Sequence, residues 1–298
     1  MNKHAYMIMA HNNFELLEMK LRLLESEKND FFIHIDTNVT NFDFEYFKSI
    51  PKHSKLVFTD RVRVTWGGFS MIDAELILLK SAIPGNYSYY HLISGVDMPL
   101  KTADEIYNFF ESHQDTEFVK FATDECLSRP KMQERFRFYH IFQNTKGRNS
   151  NAKQKLDAAF SALQRMLSVD RTKGSPLTFR IGSQWFSITH KAAEYLCNSE
   201  AYIRKTFRYT AIPDEMVVQT MLYSSQNTEF KFHSSENTSD DLPGNVRLID
   251  WKRGGPYTFR SQDLEELSTS HCIFARKFDV NTDYEICKTI FEKLSAKQ

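Results

Sequence analysis

The feature that most constrains the fold is a regular alternation of short apolar runs and amphipathic stretches through residues 1–121. Tyr6–Ala10 reads as a buried strand, and Phe14, Leu17, Leu21 and Leu24 follow on one helical face at spacings of three and four. Phe31–Ile35 is a second strand, closed by Asp36, and Lys55–Thr59 a third. Ser70 and Asp73 have capping-box spacing ahead of a helix striped by Ile72, Leu76, Leu79 and Ile83. Tyr89–Ile93 is a fourth strand, running into Ser94-Gly95-Val96-Asp97. Thr102 and Glu105 cap another helix, and Glu117–Phe121 is a fifth strand. Such alternation predicts an α/β fold with a mostly parallel central sheet and helices on both faces. Ligands of these sheets sit at the carboxyl ends of the strands, where Asp36 and the Ser94–Asp97 loop fall.

The second half is less regular. From Cys126 to Arg180 twelve Lys/Arg stand against three Asp/Glu, a local balance of +9 in a chain that is neutral overall. That stretch suits an anionic ligand, an anionic lipid surface or a phosphate-bearing acceptor, and equally a solvated insertion. Thr178–Thr189 returns to strand character, followed by a helix through Ala192 and Leu196. Pro213 suits the first turn of a helix with Val217, Val218, Met221 and Leu222, and Thr282 with Glu285 caps a last helix. With no internal repeat and no low-complexity linker, residues 1–298 are expected to form a single domain.

Several functions are excluded by what is missing. Overall neutrality gives no general case for nucleic-acid binding. Cys126, Cys197, Cys272 and Cys287 lie far apart with no CxxC, and are expected to be free thiols in a reducing compartment. The apolar run at the N-terminus is too short for a signal peptide or a span, and no other run approaches about 18 apolar residues, so a soluble, cytoplasmic protein is expected. There is no GxGxxG, Walker A, HExxH, GxSxG or kinase signature. A strict Asp-x-Asp is absent too. Asp36-Thr37-Asn38, Asp43-Phe44-Glu45 and Asp263-Leu264-Glu265 are chance-level approximations, so no metal site is assigned. Cleavage of a sugar–diphosphate bond would then need Arg or Lys to neutralise the leaving group.

Five segments in order carry a family resemblance. They are YMIMAHN (Tyr6–Asn12) with FIHID (Phe32–Asp36), VTWGGFSMIDAELILLK (Val64–Lys80), HLISGVDMPLKT (His91–Thr102), GSQWFSIT (Gly182–Thr189) with PDEMVVQTML (Pro213–Leu222), and LIDWKRGGPYTFRSQDLEEL (Leu248–Leu267) with FARKFD (Phe274–Asp279). Together the chain resembles the core 2/I-branching β-1,6-N-acetylglucosaminyltransferases, glycosyltransferase family 14, which also holds the peptide O-xylosyltransferases. The resemblance implies a GT-A-like, Rossmann-like fold and inverting transfer from a UDP-sugar, with no metal or other cofactor. It implies Glu215 as general base, Arg260 and Lys277 as contacts to the donor diphosphate, Asp36 as the reader of uracil and Met9 as a backbone contact to it. Arg135 matches an acceptor-contacting arginine, and Arg276 replaces Lys277 if the match slips by one residue. On that basis residues 1–121 form a nucleotide-sugar-binding half, 122–178 a basic insertion and 179–298 an acceptor and catalytic half.

Each residue also has a plain structural reading. A carboxylate is needed to take a proton from an acceptor hydroxyl, and one suffices for single-displacement inversion. Glu215 in the first turn of a helix, however, gains about 0.3–1 kcal/mol from the dipole alone. Arg260 and Lys277 could be solvated surface charges, and Asp36 a turn former. Trp66-Gly67-Gly68 is a tight loop near the donor sugar or a helix lead-in. Asp97 orients donor hydroxyls or stabilises its turn. Trp185 and Trp251 stack on sugar faces, Trp185 as an acceptor contact, or pack in the core; His11 is expected to be structural. Few cysteines and no anchor fit a bacterial member that acts on a glycan or lipid-linked glycan of a surface polysaccharide. The basic stretch would make peripheral contact with the anionic inner membrane. N-acetylglucosamine in β-1,6 linkage is the leading product. UDP-xylose, UDP-galactose and UDP-galactofuranose stay open as donors, as does a non-catalytic carbohydrate- or nucleotide-binding module.

Overall fold

Ten strands are defined among the described residues: β1 (His4–Ala10), β2 (Asn29–Ile35), β3 (Leu56–Phe58), β4 (Tyr89–Ser94), β5 (Asp97–Pro99), β6 (Thr116–Glu117), β7 (Ser187–Thr189), β8 (Lys231–Phe232), β9 (Arg247–Ile249) and β10 (Phe274–Arg276). The computed structural model describes residues 2–143, 151–225, 229–233 and 244–298, without the side chains of 151–154. The main sheet runs in the order β3-β2-β1-β4-β7. Its first four strands are parallel, with Ile8 of β1 in register with Ile33 of β2 and Ile93 of β4. β7 closes the far edge antiparallel to β4.

The period of two in β1 divides the core. Ala5, Met7 and Met9 face one side, against Ile72, Leu76 and Leu79 of helix Ser70–Ala82 and Ala192 and Leu196 of helix His190–Asn198. Tyr6, Ile8 and Ala10 face the other, against Leu17, Leu21 and Leu24 of helix Phe14–Leu24 and Ile106 and Phe110 of helix Ala103–Glu111. All seven β1 residues are buried, as a strand covered by helices on both faces must be. The expected α/β architecture therefore holds. A second sheet, β5-β10-β9, packs with helix Tyr284–Ser295 against helix Phe14–Leu24 and delivers Arg276 to the edge of the main sheet.

Five local expectations are corrected. Glu117–Phe121 is not a fifth parallel strand of the main sheet. Only Thr116–Glu117 is regular, paired with β8, while Phe118 and Phe121 make isolated antiparallel bridges to Ser187 and Gly182. The apolar run hid the decisive polar residue: Glu117 is buried and accepts from Thr189 N (2.8 Å) and Thr189 Oγ1 (2.6 Å), tying this segment to β7. Of Thr178–Thr189 only Ser187–Thr189 is a strand.

Capping divides in the same way. The Thr102–Glu105 box forms, with Thr102 N donating to Glu105 Oε2 at 2.7 Å. The Ser70–Asp73 box does not. The helix starts after Phe69, Ser70 Oγ accepts from Thr65 N, and Asp73 turns to Arg204. At the last helix the cap is Asp283 rather than Thr282. Pro213 opens its own 3-10 turn, Pro213–Glu215, set apart from helix Val217–Tyr223 because Ile212 has φ 51° and Met216 breaks the helical path.

Candidate active site

At the carboxyl ends of β1, β2 and β4 lies a cleft of about 430 Å³. Met9, Asp36, Trp66, Gln184, Trp185 and Arg276 form much of its wall, and the exposed His11 lines it as well. Asp36 builds its own corner. Oδ1 accepts from Asn38 N (2.7 Å) and Asn38 Nδ2 (2.8 Å), and Oδ2 from Val64 N (3.0 Å). Asp36 is thus the expected turn former and also part of the cleft. The Met9 carbonyl accepts from Gly95 N at 2.8 Å, joining the ends of β1 and β4. Burial lowers the His34 pKa to about 4, so its neutral ring accepts from Val62 N at 3.0 Å.

The wall of the cleft that carries Arg276, ion-paired with Asp97, hangs on the loop after β4. Asp97 accepts from Ser94 N (2.8 Å), Ser94 Oγ (2.6 Å) and Arg276 Nη1 (2.8 Å). Arg276 also bonds Ser94 Oγ, and its guanidinium lies 4.6 Å from the Trp185 ring centre. Asp97 is buried and its oxygens are turned to this turn and to Arg276, while Arg276 and Trp185 reach the cleft. Beneath the loop Lys20, fully buried, donates to the Ser94 carbonyl. Burial lowers its pKa to about 7, with the Asp97 charge opposing and the Arg276 charge reinforcing that shift. Next to Trp185, Gln184 Nε2 donates to Glu75 Oε1 at 2.8 Å. Burial, then the neighbouring Asp214 charge, push the Glu75 carboxyl well above the usual range, with the Gln184 hydrogen bond opposing.

Glu215 and Arg135 stand outside this cleft and together. Arg135 Nη2 donates to Glu215 Oε2 (2.8 Å) and to the Ile212 carbonyl (3.0 Å), and Nε to the Ala211 carbonyl (3.3 Å). The turn is fastened on two further sides. Ile212 N donates to the Gly67 carbonyl at 3.0 Å, and Gly182 N to the Glu215 carbonyl at 2.8 Å. Gly182 must be glycine, because a Cβ there would lie 1.7 Å from the Lys120 carbonyl oxygen. Since Gly67 neighbours Trp66 of the cleft, that backbone bond joins the cleft to the carboxylate. The Glu215 side chain keeps 33% exposure, so a hydroxyl can reach it.

Arg260 and Lys277 come close in backbone but line no part of the cleft. The Lys277 carbonyl accepts from Phe259 N at 3.0 Å, and Arg260 follows on an exposed turn. Trp251 is exposed away from the cleft, and Trp66 is 68% exposed at its mouth. Among the described residues five of the twelve cations of the basic stretch are held in ion pairs, Arg129–Glu125, Arg135–Glu215, Arg137–Asp170, Arg165–Glu134 and Arg180–Asp124. Lys146 and Arg148 lie outside the described residues. The four cysteines are free thiols. Among the described residues no group of three His, Cys, Asp or Glu could hold a metal ion, and no helix is long and apolar enough to cross a membrane.

The profile of the Core-2/I-Branching enzyme family matches residues 4–271. The chain belongs to that family. Among individual relatives, it is similar to rat xylosyltransferase 2, 25% identical over 96% of this chain and 33% of the relative. Human xylosyltransferase 2 is 24% identical over the same shares. A human β-1,3-galactosyl-O-glycosyl-glycoprotein β-1,6-N-acetylglucosaminyltransferase is 24% identical over 98% of this chain and 70% of the relative. The chain spans about a third of the length of the xylosyltransferases it matches. Its architecture is GT-A-like: a mostly parallel sheet flanked by helices, with the cleft at the strand ends.

Within this core-2/I-branching chain, sequence reasoning missed Lys20, Glu75 and Gln184. Lys20 and Glu75 did leave a signal. Each places a charge where the three-and-four spacing of its helix calls for an apolar residue, between Leu16, Leu17, Leu21 and Leu24 in one case and Ile72, Leu76 and Leu79 in the other. A charge on a buried face needs a dedicated partner, and in both cases that partner belongs to the cleft. Gln184 left no comparable mark.

Proposed function

We propose that this protein transfers a sugar from a UDP-sugar to a glycan hydroxyl, with inversion and without a metal ion. The observation that carries this reading is the presentation of Glu215: one carboxylate, held by Arg135 at 2.8 Å, partly exposed, on a turn bonded to the loop that walls the donor cleft. Such a carboxylate takes the proton of the acceptor hydroxyl as the new bond forms. The nucleotide lies against Met9 and Asp36, and the diphosphate meets Arg276, with Lys277 and Arg260 following from the adjoining backbone. Arginine neutralises the departing UDP through charge-assisted hydrogen bonds, the role a metal ion plays elsewhere. Trp66 and Trp185 offer flat apolar surface to the sugar.

N-acetylglucosamine in β-1,6 linkage, added to a bacterial surface glycan, is the leading product. UDP-xylose is the second donor reading, favoured by the names of the xylosyltransferase relatives. The test is UDP release from a panel of UDP-sugars in EDTA, comparing wild type with Glu215→Gln and Arg276→Ala. Turnover of one sugar in EDTA, lost in both variants, is expected. A requirement for Mn²⁺ or Mg²⁺ would overturn the metal-free reading, and full activity of Glu215→Gln would remove the assigned base.

A further inference from the structure

Along Arg63–Trp66 successive side chains alternate between two clefts. Val64 and Trp66 line the donor cleft, whereas Arg63 and Thr65 line a second one of about 840 Å³. Four cations converge on this second cleft, Arg63, Arg204, Lys205 and Arg208, against a single carboxylate, Asp73. Arg204 is spoken for, since it pairs with both Asp73 and Glu200. Among the described residues Arg63, Lys205 and Arg208 make no ion pair, and all three are exposed.

The bland account covers only part of this. Lys205 lies in the last turn of helix Glu200–Phe207, where the dipole favours a cation. It does not explain Arg63, which arrives from a separate segment ahead of helix Ser70–Ala82. Nor is the cluster a by-product of the basic stretch, whose counted residues, 126–180, include none of these four. Unpaired like charges around one cavity repel, and an anionic ligand relieves that repulsion.

We propose that the second cleft binds an anionic group of the acceptor, a carboxylate or a phosphate, while the hydroxyl to be glycosylated lies at Glu215. This assignment rests on the glycosyltransferase reading given above. Two connections place the cleft beside the base. Its exposed Tyr209 begins the segment that continues through Ile212 to Glu215, and Arg135 grips that segment at Ala211, Ile212 and Glu215. Its other wall, Thr65, adjoins Trp66-Gly67, whose Gly67 carbonyl accepts from Ile212 N. Tyr209, with the Arg208 guanidinium 5.8 Å from its ring centre, adds an aromatic group among the cations, the combination that suits a charged sugar. Only the anionic end of the acceptor would thus lie behind the Arg63–Trp66 wall; its hydroxyl would reach past Trp66-Gly67 to Glu215 and the anomeric carbon of the donor sugar, the new C–O bond forming as the bond to UDP breaks.

The test uses the intact protein saturated with UDP, so that the diphosphate contacts of the donor cleft are filled. Calorimetric titrations compare neutral maltotetraose, maltotetraose 1-phosphate and a hyaluronan tetrasaccharide. Wild type is expected to bind one anionic probe at least about tenfold more tightly than the neutral one, with affinity falling as salt rises. The winning probe assigns phosphate or carboxylate. The combined Arg63→Ser, Lys205→Ser and Arg208→Ser variant is expected to lose that preference while its UDP affinity is unchanged, which also reports that it is folded. Anionic probes that bind no better than maltotetraose, or that bind the variant as well as wild type, overturn the assignment. Glu215-dependent release of UDP from the donor panel is scored separately. If it is present while the anion preference is absent, only the second cleft loses its role; if it is absent, the glycosyltransferase reading itself falls.

Discussion

The two clefts share a wall four residues long, yet they are made of different material. The first, proposed above as the donor site, is built from strand ends and buried polar groups. The Met9 carbonyl, Asp36, the Ser94–Asp97 turn and Arg276 are each fixed by hydrogen bonds, with Lys20 and Glu75 buried behind them. Cations on side chains that make no ion pair among the described residues dominate the second cleft. The first is therefore preorganised and costly to disturb, while the second is an electrostatic surface that tolerates change. Preorganised polar groups in a sheltered site are worth more than the same groups in water. Changes to the donor cleft should act through geometry and stability, and changes to the second cleft through charge alone.

The sharpest way to break this contrast is at Glu215, whose turn is bonded to Gly67 beside the wall the clefts share. Glu215→Gln should lower transfer by about 10²–10⁴, the usual share of a general base, with UDP affinity unchanged. A parallel loss of UDP affinity would mean that the base and the donor cleft are not separable. Next comes the backbone that holds the turn. Gly182→Ala forces a Cβ into the Lys120 carbonyl and should cost on the order of 3 kcal/mol in urea unfolding. An unchanged midpoint would show that the turn is looser than its hydrogen bonds imply.

Stability against pH probes the scaffold behind the clefts. Burial lifts the Glu117 pKa to about 7, above its ordinary value of 4.5, with the Thr189 hydrogen bonds opposing. A raised folded pKa means that its stabilising contribution is present in full below about pH 4.5 and is lost as pH rises through 7. Wild type should lose on the order of 3 kcal/mol relative to Glu117→Gln across that window. Parallel stability profiles would refute the assignment.

Smaller effects separate the two clefts directly. Arg276→Ala should weaken UDP binding about 10- to 100-fold, as expected for one or two charge-assisted hydrogen bonds, whereas Arg208→Ala should leave it unchanged. Equal losses would merge the clefts into one. At the bottom of the scale, Arg165→Ala breaks the solvent-facing pair with Glu134 and should change stability by less than about 1 kcal/mol.

The same contrast explains what could be read in advance. Residues a few positions apart carried the β1–β4 alternation, the Thr102–Glu105 cap and the placing of Asp36 at a strand end. Local reading failed where a distant partner competed. Asp73 left its cap for Arg204, and Glu117 turned its strand toward Thr189. The basic stretch shows this most clearly. Its +9 balance is a true property of the sequence, but Asp124, Glu125 and Glu215 outside it neutralise three of its arginines, and a cleft lined by exposed cations without ion pairs among the described residues lies elsewhere, around Arg63, Lys205 and Arg208.

What the sequence by itself determined is the β1–β4 alternation with its helices, the family and the identity of Glu215, Arg135 and Asp36 as residues to watch, because periodicity and motifs are written among near neighbours. Only the tertiary structure decided that Arg135 meets Glu215 across 80 positions, that Arg276 rather than Lys277 lines the cleft on a carboxylate 179 positions away, and that Lys20 and Glu75 stand behind it. Those pairings follow from which faces the packed sheet and helices bring within hydrogen-bond reach, and no local pattern encodes that distance.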